Sequence, residues 1–254
     1  MLNTLITGSA TDAPPLLIVH GLFGSGRNWG VIAKRLSDER QVIAPDMRNH
    51  GDSFRSESHG YPDLADDLAE VIEAHGGRAD VVGHSMGGKA AMALALTRPA
   101  LVNRLIVADI APVAYSHSQM QYIDAMRGVD LARVEKRSDA SEQLARSVPD
   151  KTLQSFFTQS LDLKERRWKL NLDVLAAEMP KILSFPAIDG TFDGPTLFLS
   201  GGESTYVLPE HRPAIRTLFP KARFAKLPGA GHWLHAEKPR DFEASVRAFL
   251  TMDV

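Results

Sequence analysis

The chain contains no cysteine, so disulfide frameworks, thiolate metal sites and cysteine nucleophiles are all excluded. It also lacks any run of about 18 apolar residues, the length a membrane-crossing helix needs, and no membrane span is expected. The opening segment, MLNTLITGSATDAPP, has neither a basic start nor an apolar core, so it does not read as a secretory signal. It lacks the arginines of a mitochondrial transit peptide as well, and the expectation is a cytoplasmic protein. Charge of one sign is missing too. Against 31 acidic residues stand 29 basic ones, a net charge of −2, and no global field favours nucleic acid or an anionic membrane. There is no internal repeat and no low-complexity segment.

What is present is alternation. Short apolar runs at Leu16–Val19, Gln41–Ala44, Ala79–Val82, Arg104–Ala108, Thr196–Leu199 and Arg223–Leu227 are separated by helical patterns. That is the signature of a mostly parallel sheet with helices on both faces. Several runs do not alternate, as expected of strands buried on both sides. Leu2–Thr7 is expected to add an edge strand. Leu64, Leu68, Val71 and Ile72 form one helical stripe, and Phe242, Val246, Phe249 and Leu250 form another. Met86–Leu96 is small and apolar almost throughout, which predicts a buried, closely packed helix.

The alternation stops between Val113 and Pro186. That stretch offers no strand, many charges and helical stripes such as Leu153, Phe156, Phe157 and Ser160. The reading is a core of residues 1–112 and 187–254 with a helical cap inserted at 113–186.

Gly83-His84-Ser85-Met86-Gly87 follows directly on the apolar run ending at Val82 and precedes a helix. Such a pentapeptide alone is weak; in strand–turn–helix context it predicts a nucleophile on a sharp turn. A serine there is exposed at the helix N-terminus, whose amides can stabilise developing negative charge. The run LIVHGLFG supplies the second part, a loop after a strand ending in His20-Gly21. The oxyanion hole is therefore assigned to the N–H groups of Leu22 and Met86, with Phe23 the alternative if the register differs by one. Gly21, Gly24 and Gly26 do not make a dinucleotide fingerprint, because the third glycine is replaced by Trp29. His20 is expected to be structural.

His232, in Gly229-Ala230-Gly231-His232-Trp233 after the last strand, is the expected general base, since an imidazole titrates near working pH. His235 completes a His-x-x-His, but without a nearby third ligand no metal site is expected. The acid that orients His232 has two candidate sources. Asp109 follows the run RLIVA, whereas Glu203 lies in the turn Gly201-Gly202-Glu203-Ser204, where serine occupies the position at which aspartate is common. Asp109 is favoured and Glu203 is the alternative.

Together HGLFGSGRNW, DMRNHGDS, VGHSMGGKAAMALAL, ADIAPVAY, LFLSGGESTYV and PGAGHWLHAEKPRDF resemble the YbfF-type bacterial esterases and their mitochondrial abhydrolase relatives. The likeness covers nearly the whole chain and is weakest from about 116 to 182. It implies a capped α/β-hydrolase fold that acts without a cofactor on small-molecule esters and acyl thioesters, with the acid after the earlier strand, matching Asp109. Arg48, Asn49 and His50 belong to the same pattern and are expected to be structural. Phe23, His117 and Gln119 are expected to line the substrate pocket, and Phe156, Phe157 and Trp168 to furnish the inner face of the cap. The expected function is serine esterase. Carbon–carbon bond hydrolysis, cofactor-free haloperoxidation and a slow-turnover ligand receptor use the same residues and stay open, whereas dehalogenases and epoxide hydrolases need aspartate at position 85. Oligomeric state is not legible.

Overall fold

The computed structural model describes residues 1–252. Among these residues nine strands form: β1 (Thr4–Thr7), β2 (Leu16–Val19), β3 (Val42–Pro45), β4 (Ala79–His84), β5 (Val102–Ala108), β6 (Leu161–Asp162), β7 (Arg167–Trp168), β8 (Thr196–Gly201) and β9 (Ala222–Leu227). Seven of them make one sheet in the order β1-β3-β2-β4-β5-β8-β9. Only β1 runs antiparallel.

Every residue of β2, β3, β4 and β8 is buried, which explains why these runs do not alternate in sequence. Alternation survives instead in which core each residue enters. Leu17, Val19, Ile43, Val81 and Val107 join the cluster on one face. Leu16, Ile18, Val42, Val82 and Ile106 join the cluster on the other, as the two-residue period of a strand requires.

The helices are α1 (Gly30–Leu36), α2 (Tyr61–Glu73), α3 (Met86–Thr97), α4 (Met120–Arg127), α5 (Arg137–Leu144), α6 (Lys151–Thr158), α7 (Leu172–Ala177), α8 (Met179–Leu183), α9 (Arg212–Leu218), α10 (Leu234–Glu237) and α11 (Pro239–Leu250). Among the described residues none is long and apolar enough to cross a membrane. The stripes expected at 64–72 and 242–250 are the buried faces of α2 and α11. Helix α3 is buried from Met86 through Leu96, because its glycines and alanines let it lie close to the sheet and α2. Leu94 in this helix is fully buried. Leu94→Ala is expected to destabilise the fold by about 2–5 kcal/mol, the lost transfer energy plus a residual cavity, measured by urea unfolding.

The chain between β5 and β8 is mainly helical, α4 to α8, but the expectation of no strand there needs correction. β6 and β7 pair antiparallel, Leu161 with Trp168 and Asp162 with Arg167. Two-residue strands carry no periodicity to read. The pair is closed by a turn in which Arg166 takes φ 48° and the Glu165 N–H donates to Asp162 Oδ1. Trp168 is packed inside this segment, its Nε1–H donating to Met126 O at 2.9 Å.

Candidate active site

Ser85 stands between the last residue of β4 and the first of α3, with φ 54° and ψ −122°. A non-glycine residue holds that conformation only when its surroundings impose it. Here its N–H donates to Ala108 O at 3.0 Å, and the flanking glycines let three backbones meet. A Cβ on Gly83 would lie 2.3 Å from Gly87 O, and one on Gly87 would lie 2.4 Å from His20 O. The spacing of the pentapeptide is therefore a packing requirement.

His232, in the loop after β9, faces Ser85 with Nε2 3.1 Å from Oγ. Its Nδ1–H donates to Asp109 Oδ2 at 2.7 Å. Asp109 follows β5, has φ 53° and is fully buried. Its Oδ1 accepts from Gly201 N–H at 3.0 Å and its Oδ2 from Ser204 Oγ at 2.5 Å. The two turns between which the sequence left the acid open thus converge. The aspartate comes from the first, and the serine standing where aspartate is common in the second donates to it. Glu203 is exposed and among the described residues makes no hydrogen bond to His232; its backbone N–H donates to Ala230 O.

Two further groups hold His232. Tyr206 stacks on its ring at 3.9 Å and 19°. The Nε2–H of His84 donates to the His232 carbonyl at 2.8 Å; burial holds His84 well below its ordinary pKa, so it stays neutral. His235 does not join His232. It stacks on Trp29 at 4.1 Å, and burial lowers its pKa to about 3.

The loop after β2 is braced by two more neutral histidines. His20 donates from Nδ1 to Gly21 O at 2.8 Å and accepts at Nε2 from Met47 N–H at 2.9 Å. Its pKa is lowered, burial being the largest cause. The Gly21 carbonyl belongs to the same peptide unit as the Leu22 N–H, so this bond fixes where that N–H points. His50 accepts from the Phe23 N–H at 3.2 Å and donates from Nδ1 to Arg48 O. The amide of Phe23 is thereby spent, whereas that of Leu22 donates to nothing among the described residues. Met86 opens α3, where an N–H has no acceptor within its own helix. Arg48 is paired with Asp67, and Asn49 O accepts from Asn171 N–H at 2.9 Å, tying this loop to the inserted segment. The structural expectation for Arg48, Asn49 and His50 holds, with the addition that His50 grips the loop next to Ser85.

A cavity of about 250 Å³ opens at Ser85. Phe23, His117 and Gln119 line it, as do Leu22, Met86, Phe156 and Phe157. Trp168 does not, because its indole is turned toward Met126. Missed in the sequence were Tyr206, whose hydroxyl meets His117 Nε2 at 2.8 Å, and Tyr115, which donates to Tyr206 O. The run GGESTYV contained Tyr206, but only the folded chain puts that ring on His232.

Comparison with known proteins agrees with this architecture. The family model described as the alpha/beta hydrolase fold matches residues 14–239. The mouse (Mus musculus) protein named sn-1-specific diacylglycerol lipase ABHD11 is 42% identical, over 97% of this chain and 83% of its own. Esterase YbfF of Escherichia coli (strain K12) is 37% identical, over 93% of this chain and 92% of its own. A solved structure titled marine microorganism esterase superposes with a TM-score of 0.92 at 36% identity, covering 98% of this chain and all of that one. With the sheet order, the turn at Ser85 and relatives this similar along nearly its whole length, the chain belongs to the alpha/beta hydrolase fold family.

Proposed function

We propose that this protein is a serine hydrolase of small carboxylic esters, acyl thioesters included, working through an acyl-enzyme on Ser85. The observation that carries the reading is the position of His232, 3.1 Å from Ser85 Oγ on one side and 2.7 Å from Asp109 on the other. Relatives named esterase and lipase at 37–42% identity support the ester as substrate.

In this mechanism Ser85 attacks the acyl carbonyl as His232 Nε2 takes its proton. The N–H groups of Leu22 and Met86 hold the oxyanion. His232 then protonates the departing alkoxide or thiolate, and water, activated by the same imidazole, releases the acid. Asp109 keeps the Nδ1–H tautomer and offsets the positive charge that His232 acquires. The segment 113–186 acts as the cap, supplying Phe156 and Phe157 to an apolar wall that excludes water and selects the acyl group. A cytoplasmic location belongs to the same reading and is checked by fractionating cells that express the full chain.

Hydrolysis of p-nitrophenyl esters from acetate to decanoate tests the proposal. Turnover by the wild type supports it, and its absence across the series from a folded protein sinks it. Ser204→Ala removes one hydrogen bond to a buried carboxylate, worth about 1.5–3 kcal/mol, and is expected to lower kcat about 10- to 100-fold. Glu203→Gln is expected to stay within about twofold of wild type, since Glu203 faces solvent.

A further inference from the structure

Lys89 sits one turn into α3, four residues after Ser85, and is 1% exposed. Burying an ammonium group is costly unless it is paired or fully hydrogen-bonded. This one makes no salt bridge among the described residues. It donates instead to three backbone carbonyls: Val113 O at 2.9 Å, Leu183 O at 2.9 Å and Ser184 O at 2.6 Å. The rings of Tyr115 and Tyr61 lie 4.8 and 5.8 Å from Nζ. An ammonium has three protons to give, and all three are used, so it has none left to bind a substrate anion even though it borders the cavity.

The three carbonyls are not a random set. Val113 begins the inserted segment, and Leu183 and Ser184 lie close to its end at 186. The two connections also meet each other, the Tyr115 N–H donating to Leu183 O at 3.0 Å. One side chain on the helix that carries Ser85 therefore ties down both points where the cap leaves and rejoins the core.

We infer that Lys89 is a positioning residue that anchors both hinges of the cap to the nucleophile helix, so that cap closure and acyl-chain selection depend on it. This rests on the reading of segment 113–186 as a substrate-selecting cap.

Opening the hinges carries a signature in protons. Burial pulls Lys89 down to about 7, so above that the closed hinge holds a neutral amine, which keeps two N–H groups for the carbonyls and no longer buries a charge. An opened hinge returns the side chain to water and its ordinary value of about 10.4. Between those values the open state holds one more proton, so opening is disfavoured as pH rises, by up to about tenfold per unit. Below about 7 both states are protonated and Lys89 adds no slope. The other titratable groups facing it act outside this window. Tyr61 and Tyr115 are raised above the ordinary phenol value by burial, and His117 is lowered below that of imidazole.

Hydrogen exchange of the peptide containing the Tyr115 amide, corrected for the intrinsic rate, tests this on the full chain alongside Lys89→Met. The wild type is expected to gain hinge protection between pH 7 and 9.5. The variant is expected to lose that slope, to exchange at least tenfold faster at pH 7.5, and to lower the octanoate-to-acetate ratio of kcat/KM about tenfold. Hinge protection in the wild type at pH 7.5 no greater than that of a freely exposed loop amide overturns the anchor, whether or not the variant folds. So does a folded variant with unchanged exchange and an unchanged chain-length profile. The exchange arm needs no turnover, so a protein that hydrolyses no ester would overturn the esterase reading and leave the anchor standing on its own result.

Discussion

Ser85→Ala is expected to lower kcat on the best p-nitrophenyl ester by about 10⁶-fold, with a residual rate about 10³–10⁴ above water from the oxyanion hole and binding alone. The size follows from the order of events. Without Oγ there is no acyl-enzyme, and His232 is left to activate water at a carbonyl that Ser85 would otherwise have attacked. The substitution removes one oxygen and keeps the backbone at φ 54°, so the variant is expected to fold, with an unchanged circular dichroism spectrum. Steady-state hydrolysis with highly purified enzyme checks the rate. A variant that kept a tenth of wild-type activity would place the nucleophile elsewhere.

The second large effect belongs to Asp109→Asn, expected to cost about 10⁴-fold in kcat without unfolding the chain, through the wrong histidine tautomer. The surroundings of the carboxylate give the reason. Oδ1 accepts from the Gly201 N–H, while Oδ2 accepts from both Ser204 Oγ and His232 Nδ1. Asparagine keeps its carbonyl oxygen on Gly201 and turns its NH₂ toward His232 and Ser204. Facing a donor, the imidazole moves its proton to Nε2 and can no longer accept one from Ser85. Pre-steady-state acylation is expected to slow as much as turnover, and thermal unfolding to shift by a few degrees. If kcat fell less than tenfold, another carboxylate would have to orient His232, and the solvent-facing Glu203 would again be the candidate to test.

Much of the fold was legible because it depends on local pattern. A strand covered on both faces is buried at every position and therefore mostly apolar, as β2, β3, β4 and β8 are. The helices at 61–73 and 239–250 each have one buried face, so their stripes stand out against polar neighbours. The turn at Ser85 was equally plain, because the clash a side chain would suffer at Gly83, against the Gly87 carbonyl, lies within a few residues. The roles proposed for Ser85 and His232 rest on their positions relative to strands, without any knowledge of distances.

What the sequence left open was decided by contacts between distant parts of the chain. Whether Asp109 or Glu203 orients His232 depends on which side chain turns inward, and the 2.5 Å bond from Ser204 across 95 positions has no local signal. That the Phe23 amide is taken follows from His50, 27 positions away, accepting from it. The β6–β7 pair is too short to leave a period, and Trp168 faces Met126 because packing within the insertion turned it there. Lys89 reads in sequence as one charge in an apolar helix, and only the return of the chain at Leu183 and Ser184 gives its ammonium three acceptors. The sequence by itself determined the elements, the turn and the chemistry available at it, since periodicity and steric demand act over a few residues. The tertiary structure decided the partners of each polar group, because a hydrogen bond is set by distance in space and not along the chain.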